Sequence, residues 1–198
     1  MWAEGNPKLC ETLHSVATKL HELELIVLNI LYQTYGVEKH YESQEKRFEN
    51  TFRLLYKVPP QSDSLVVLGA HTDKGSLTIQ CLDEVQGLER LSKECKWLQV
   101  SDIRGAFVVF VGDSLKAWSN GRQYAAKHRV VLSGDKERFS YSLFASPKEG
   151  VIVEVPEELV DQEHPLLYKP FNFMDFFNQL CVTDLKYNEN PLEAYTGV

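Results

Sequence analysis

From residue 7 the apolar positions recur at spacings of three and four: Leu9, Leu13, Val16, Leu20, Leu23, Val27 and Ile30. That period keeps them on one side of an α-helix and predicts a single long amphipathic helix. Both of its ends are marked. Asn6-Pro7 supplies a capping side chain and then proline at the first helical position, and Gly36 suits a left-handed C-terminal cap. The charged stretch 37–50 reads as a short helix plus loop.

Beyond residue 50 the period shortens to two, the alternation of a strand with two unlike faces. Candidate strands are 51–57, 65–70, 77–82, 88–91, 96–100, 107–111, 124–132, 137–144 and 151–155. Many short strands, with turn signals such as Ser119-Asn120-Gly121 and Ser133-Gly134-Asp135 between them, predict a sandwich or jelly roll. The aromatic run 171–180 predicts a closing helix. The expected fold is therefore mainly β: a double-stranded β-helix (jelly roll) with a long N-terminal helix and a C-terminal helix. Residues 1–50 form the helical flank, 51–170 the core, and 171–198 the closing helix and tail.

Composition narrows the partners. A chain of 198 residues fits one domain with a sizeable core. The net charge of −7 carries no basic footprint for nucleic acid or an anionic membrane. No apolar run approaches the length of a membrane span, and MWAEGNPKLC lacks a secretory signal pattern. Cys10, Cys81, Cys95 and Cys181 form no CxxC pair, which points to reduced thiols and a cytoplasmic protein. The expected partner is a small-molecule substrate, with no obligate protein partner evident.

The chemistry concentrates in three short segments. In His71-Thr72-Asp73, an extended backbone would turn His71 and Asp73 to one side, and His128 lies in a second strand-like run. Two imidazoles and one carboxylate can occupy one face of an octahedral metal, the arrangement of non-haem Fe(II) oxygenases. Arg138-Phe139-Ser140 follows ten residues after His128. Arg138 and Ser140 share a face, and a guanidinium fork beside a hydroxyl suits a carboxylate. A metal triad near a carboxylate clamp asks for a dicarboxylate that touches both, and 2-oxoglutarate fits. Of the other side chains, Lys74 and Trp118 are candidates to line the pocket, Trp118 equally a core residue. Asn120-Gly121 reads as a hairpin turn. His14, His21, His40 and His164 sit on a helix face, in a charged loop or before a proline, and none reads as a ligand.

HTD, HRV at His128 and RFS at Arg138, in that order, resemble the plant soluble 2-oxoglutarate- and Fe(II)-dependent dioxygenases, and the resemblance runs from about Trp2 to Val198. The segments GNPKLCETL, AHTDKGSLTI, VGDSLKAWSNGR, PEELVDQEHPLLYKPF and AYTGV are similar to one branch. It holds the glucosinolate side-chain-modifying dioxygenases, alkenyl- and hydroxyalkyl-forming, and the auxin-oxidising dioxygenases. The resemblance implies Fe(II) on His71, Asp73 and His128, 2-oxoglutarate on Arg138 and Ser140, and ascorbate as reductant. It also implies a tyrosine on the strand before HTD that helps hold the co-substrate. Tyr56 is the candidate, although FRLLYKVPP lacks the family's Asn-Tyr-Tyr-Pro pattern and fits it with a one-residue gap. Family members carry a further N-terminal part, so a non-catalytic, truncated metal-binding jelly roll stands as the alternative. A cupin-like zinc or manganese binder would explain the histidines but leave RFS without a task.

Overall fold

A computed structural model describes residues 5–59, 64–82, 84–101 and 105–197, apart from the side chain of Gln44. The ends of the family resemblance, Trp2 and Val198, lie outside them. The chain divides into two compact units, Met1–Lys46 and Arg47–Val198.

The first unit is built on α1 (Pro7–Thr34), followed by a 3-10 turn (Glu38–His40) and α2 (Tyr41–Glu45). Asn6 caps α1 as its sequence predicts, its Oδ1 accepting from Leu9 N–H at 3.0 Å, with proline at the first turn. At the other end Gly36 takes φ 67°, which lets Val37 N–H bond back to Tyr32 O at 3.0 Å. The buried stripe differs from the predicted one. It runs Leu20, Glu24, Leu28, Tyr32, whereas Ile30 is exposed. A strict spacing of four drifts around the helix, so the stripe leaves the predicted positions after one turn. Tyr41 closes on this helix, its ring edge-on to Tyr32 and its hydroxyl on Leu25 O.

The second unit holds two four-stranded antiparallel sheets. One has the order β1 (Phe48–Lys57), β8 (Arg138–Pro147), β3 (Leu77–Leu82), β6 (Val108–Val111). The other has the order β2 (Ser64–His71), β7 (His128–Ser133), β4 (Leu88–Leu91), β5 (Trp97–Gln99). Apart from the β4–β5 hairpin, consecutive strands from β1 to β8 alternate between the two sheets, the winding of a double-stranded β-helix, and the predicted jelly roll is the observed fold. A small pair, β9 (Ile152–Val153) with β10 (Phe171–Asn172), leads into the closing helix α4 (Phe173–Val182). The tail then folds as a 3-10 turn and α5 (Pro191–Thr196) and belongs to this same unit.

Apolar packing between the sheets centres on Leu88, Phe110, Val130 and Leu132, with Val67, Leu82 and Val108 against them. These are inward positions of the predicted alternation. The alternation does not predict α3 (Asp113–Trp118), which follows β6 directly. Trp118 is buried in the core, one of its two expected roles. Asn120-Gly121 is no hairpin turn. It ends α3 with positive φ at both residues, and Asn120 pins the distal loop by donating to Leu159 O and Pro165 O and accepting from Leu167 N–H.

Candidate metal centre and cavity

The ladder between β2 and β7 slips twice, between Val66 and Leu68 and again between Leu68 and His71. A bulge adds a residue and re-aims the side chains beyond it. Its effect is visible here: Leu68 and His71 are an odd number of residues apart, yet both line one cavity. His71 then pairs with His128, with ring centroids 4.4 Å apart. Phe110 stacks on the outer side of His128 at 4.3 Å and fixes its plane.

β2 ends at His71, so Thr72 and Asp73 lie in the turn beyond it rather than in the strand. That turn is pinned by backbone bonds. Asp113 N–H donates to Asp73 O at 2.7 Å, Gly112 N–H to Ser76 O at 2.8 Å, and Ser76 N–H to Ala145 O at 2.7 Å. Two glycines permit this closeness: a Cβ on Gly75 would collide with the Ala145 carbonyl, and one on Gly112 with the Gly75 carbonyl. Lys74 lines the cavity as expected, but its charge is already compensated, with Nζ 2.6 Å from Asp113 Oδ2 and 2.8 Å from Thr72 Oγ1.

Three donor atoms from His71, Asp73 and His128 lie within 4.8 Å of one another. Each has its far side occupied. Nδ1 of His71 lies 2.8 Å from Gly69 O, and Nδ1 of His128 lies 3.1 Å from Ala126 O. A carbonyl only accepts, so both Nδ1 atoms carry a proton, and Nε2 is the ring atom each histidine turns toward Asp73. Those Nε2 atoms stand 3.7 Å and 3.9 Å from Asp73 Oδ1. Asp73 Oδ2 meanwhile accepts from Thr78 Oγ1 at 2.6 Å. Burial pushes the His128 pKa down, outweighing the Asp73 carboxylate that pulls it up, so the ring is held neutral and ready to ligate. Two imidazoles and a carboxylate, each oriented from behind, are a donor set that fits Fe(II).

The cavity has a volume of about 410 Å³, enough for two small molecules of metabolite size. Its other wall comes from the unbroken β1–β8 ladder, where Thr51, Arg53, Leu55 and Lys57 face inward. Arg138 is only 2% exposed, lines this wall, and donates from Nη1 to buried Ser140 Oγ at 3.3 Å. A guanidinium fork on a cavity wall is suited to binding a carboxylate.

Tyr56 is not brought to this place. It falls on the opposite parity of β1, is half exposed, stacks on Phe139 and donates its hydroxyl to Glu137 at 2.5 Å. The inward side chain beside Arg138 is Lys57, its direct partner in the ladder. The one-residue gap in FRLLYKVPP is the signal that could have shown this, because one missing residue exchanges the two faces of a strand.

Thr78, Lys57 and Ser142 are among the polar cavity groups that motif reading missed, as are Arg53 and Gln80. Ser142 is fully buried, and its Oγ has no hydrogen-bond partner among the described residues. An orphaned hydroxyl costs about 1–3 kcal/mol, so it too fits a site that a ligand completes.

The sequence profile of the 2OG-Fe(II) oxygenase superfamily matches residues 48–147, just over half of the chain. The chain belongs to this superfamily. Within it, the chain is 40% identical over 184 residues to the protein named probable 2-oxoglutarate-dependent dioxygenase AOP1 of Arabidopsis thaliana, covering 90% of this chain and 61% of that one. Among solved structures, the rice dioxygenase for auxin oxidation (DAO) superposes with a TM-score of 0.85 at 30% identity. That match covers 98% of this chain and 65% of the rice enzyme. The structure of JOX2 in complex with 2OG, Fe and JA superposes with a TM-score of 0.81 at 26% identity, over 92% of this chain and 55% of that one. The chain thus spans roughly three-fifths of the length of the curated superfamily relative, 61%. The cupin-like metal binder is set aside by the family match.

Proposed function

We propose that this chain is a 2-oxoglutarate- and Fe(II)-dependent dioxygenase that oxidises a small plant metabolite, either a glucosinolate side chain or an auxin-like acid. One observation carries the reading. Three oriented metal donors stand on one wall of a cavity whose other wall presents a buried guanidinium. His71, Asp73 and His128 would hold the iron. Arg138 and Ser140 would hold the far carboxylate of 2-oxoglutarate, with Lys57 in the place expected for Tyr56. Iron and the keto acid together supply dioxygen activation and oxidation of a substrate C–H bond, the keto acid leaving as succinate and carbon dioxide, with ascorbate as the reductant.

The protein's share is orientation. Gly69 O and Ala126 O fix both imidazoles, and Thr78 leaves one Asp73 oxygen for the metal. The name of the rice neighbour, a dioxygenase for auxin oxidation, supports the auxin-like acid.

The test is anaerobic titration with Fe(II) and then 2-oxoglutarate, followed by measurement of succinate on admitting oxygen. Saturable binding of both and succinate formation are expected. Iron binding without any succinate would favour the alternative, a non-catalytic metal-binding jelly roll. Failure to bind either would overturn the reading.

A further inference from the structure

The cavity holds a second cation that the roles above leave without a task. Arg53 lines the cavity, and its position in β1 lies opposite Ser142 of β8, which in turn lies opposite Gln80 of β3. One rung across three strands therefore presents a guanidinium, a hydroxyl and a carboxamide to the same space. Among the described residues no carboxylate pairs with Arg53. Its Cζ rests 4.9 Å over the Phe144 ring. Ser142 Oγ on the same rung is buried and has no hydrogen-bond partner among the described residues.

The two guanidiniums serve different ends of the cavity. Arg138 reaches toward Ser140, while Arg53 leans toward Phe144, on the far side of Ser142. Positions 140 and 144 on β8 are about 13 Å apart at roughly 3.3 Å per residue. Arg138 is buried and Arg53 is exposed, so one head is deep and the other stands at the mouth. A five-carbon diacid held between Arg138 and the metal donors leaves Arg53 to something else.

Two further observations indicate its ligand. The charged side chains lining the cavity are Arg53, Lys57, Lys74 and Arg138 against Asp73, in a chain whose net charge is −7. Asp113 compensates Lys74. This basic pocket in an acidic protein selects anions by its local field. Next to Arg53 the lining is aromatic. Phe144 is joined by Phe173 and Phe177 from α4, whose rings lie 6.2 Å apart. Phe144 also lies opposite Thr78, the residue that holds Asp73. A molecule resting on Phe144 is beside the metal donors.

We propose that the mouth of the cavity is an organic-anion subsite. Arg53 holds the acidic group of the substrate, and Phe144, Phe173 and Phe177 receive its apolar body. The substrate class is a small organic acid with an aromatic or alkyl body. This inference rests on the dioxygenase reading and adds to it the feature that selects the substrate.

The test uses the chain loaded with Mn(II) and saturating 2-oxoglutarate, without oxygen, so that binding is read apart from turnover. Probes are matched acid and amide pairs, phenylacetate with phenylacetamide and octanoate with octanamide, with phenyl sulfate as a second kind of anion. Their dissociation constants are read by ligand-observed NMR. Wild type should prefer acid over amide by about tenfold or more, as a charge-assisted contact implies. Arg53→Gln should bring that preference close to one. Arg53→Lys should restore part of it. In both variants the affinity for 2-oxoglutarate should stay within about twofold of wild type. Comparing carboxylate with sulfate shows which acid the subsite takes. If wild type shows no acid preference for either body, or Arg53→Gln keeps it, the inference is overturned while the dioxygenase reading stands. If metal and 2-oxoglutarate themselves fail to bind wild type, it is the dioxygenase reading that falls.

Discussion

Between β2 and β7 the ladder slips twice within eight residues of β2, whereas β1 and β8 stay in register from Phe48 opposite Pro147 to Lys57 opposite Arg138. The broken ladder carries the two imidazoles. The regular one carries the cations. A bulged pair can aim a few side chains at one point, which a metal requires. A regular pair can only repeat every second residue, so it lays out a row: Lys57, Leu55, Arg53 and Thr51 along β1, faced by Arg138, Ser140, Ser142 and Phe144. One sheet concentrates its chemistry, and the other spreads it along the length a ligand occupies.

The largest expected effect is at the concentrated end. Asp73→Ala or His128→Ala each removes one of three protein donors, and Fe(II) affinity should fall by at least about a hundredfold in anaerobic titration, more than the loss typical for an outer-shell partner. Unchanged iron binding in both would place the metal elsewhere. Thr78→Val keeps the donors but frees the second oxygen of Asp73 to swing. A loss of about tenfold is expected in the same titration, with the cavity volume nearly preserved. Equal affinity for the variant and wild type would mean that the turn alone orients Asp73.

At the spread-out end, effects should be smaller and divided among several groups. Arg138→Lys keeps the charge and loses the fork. The dissociation constant for 2-oxoglutarate should rise about tenfold, or ~1.4 kcal/mol, with iron affinity unaltered. Lys57→Met should raise it by only about two- to fivefold, and Tyr56→Phe, on the outer face, not at all. A larger effect of Tyr56→Phe than of Lys57→Met would mean that β1 presents its other face in solution.

The smallest test uses pH. Burial holds the folded His128 pKa below its usual 6.5, so the unfolded ring takes up a proton first as pH falls. The metal-free chain should therefore be fully stabilised by this group above about pH 6.5 and lose that contribution on acidification below it. Denaturant midpoints across pH 5 to 8, for wild type and His128→Gln, would show the slope and its partial loss.

The same contrast between ladders explains which features were legible in the sequence. The inner strands 77–82 and 88–91 were found with the observed bounds, because each is a short apolar-containing run between turn-forming segments. HTD, His128 and RFS could be singled out because each carries its own chemistry, and the structure brings all three to one cavity or its wall. Tyr56 was misplaced because the face of a strand depends on a count of residues, and one gap in that count is invisible to composition. Ser142 and Thr78 were passed over because a hydroxyl in a strand has no signature until its neighbours are known. In α1 the residue Glu24 could not be foreseen in the buried stripe, since period alone assigns an acid to the wet side.

The close approach at Gly75 and Gly112 has a consequence for the life of the chain. The turn bearing Asp73 is gripped by β8 on one side and by the start of α3 on the other, and His128 arrives only with β7. A chain in which this turn or β7 is unformed cannot offer all three donors at once. Iron capture would then follow the meeting of the two sheets, so redox-active metal would be kept off chains that have not reached that stage. The metal centre would serve as a proofreading mark on the finished sandwich.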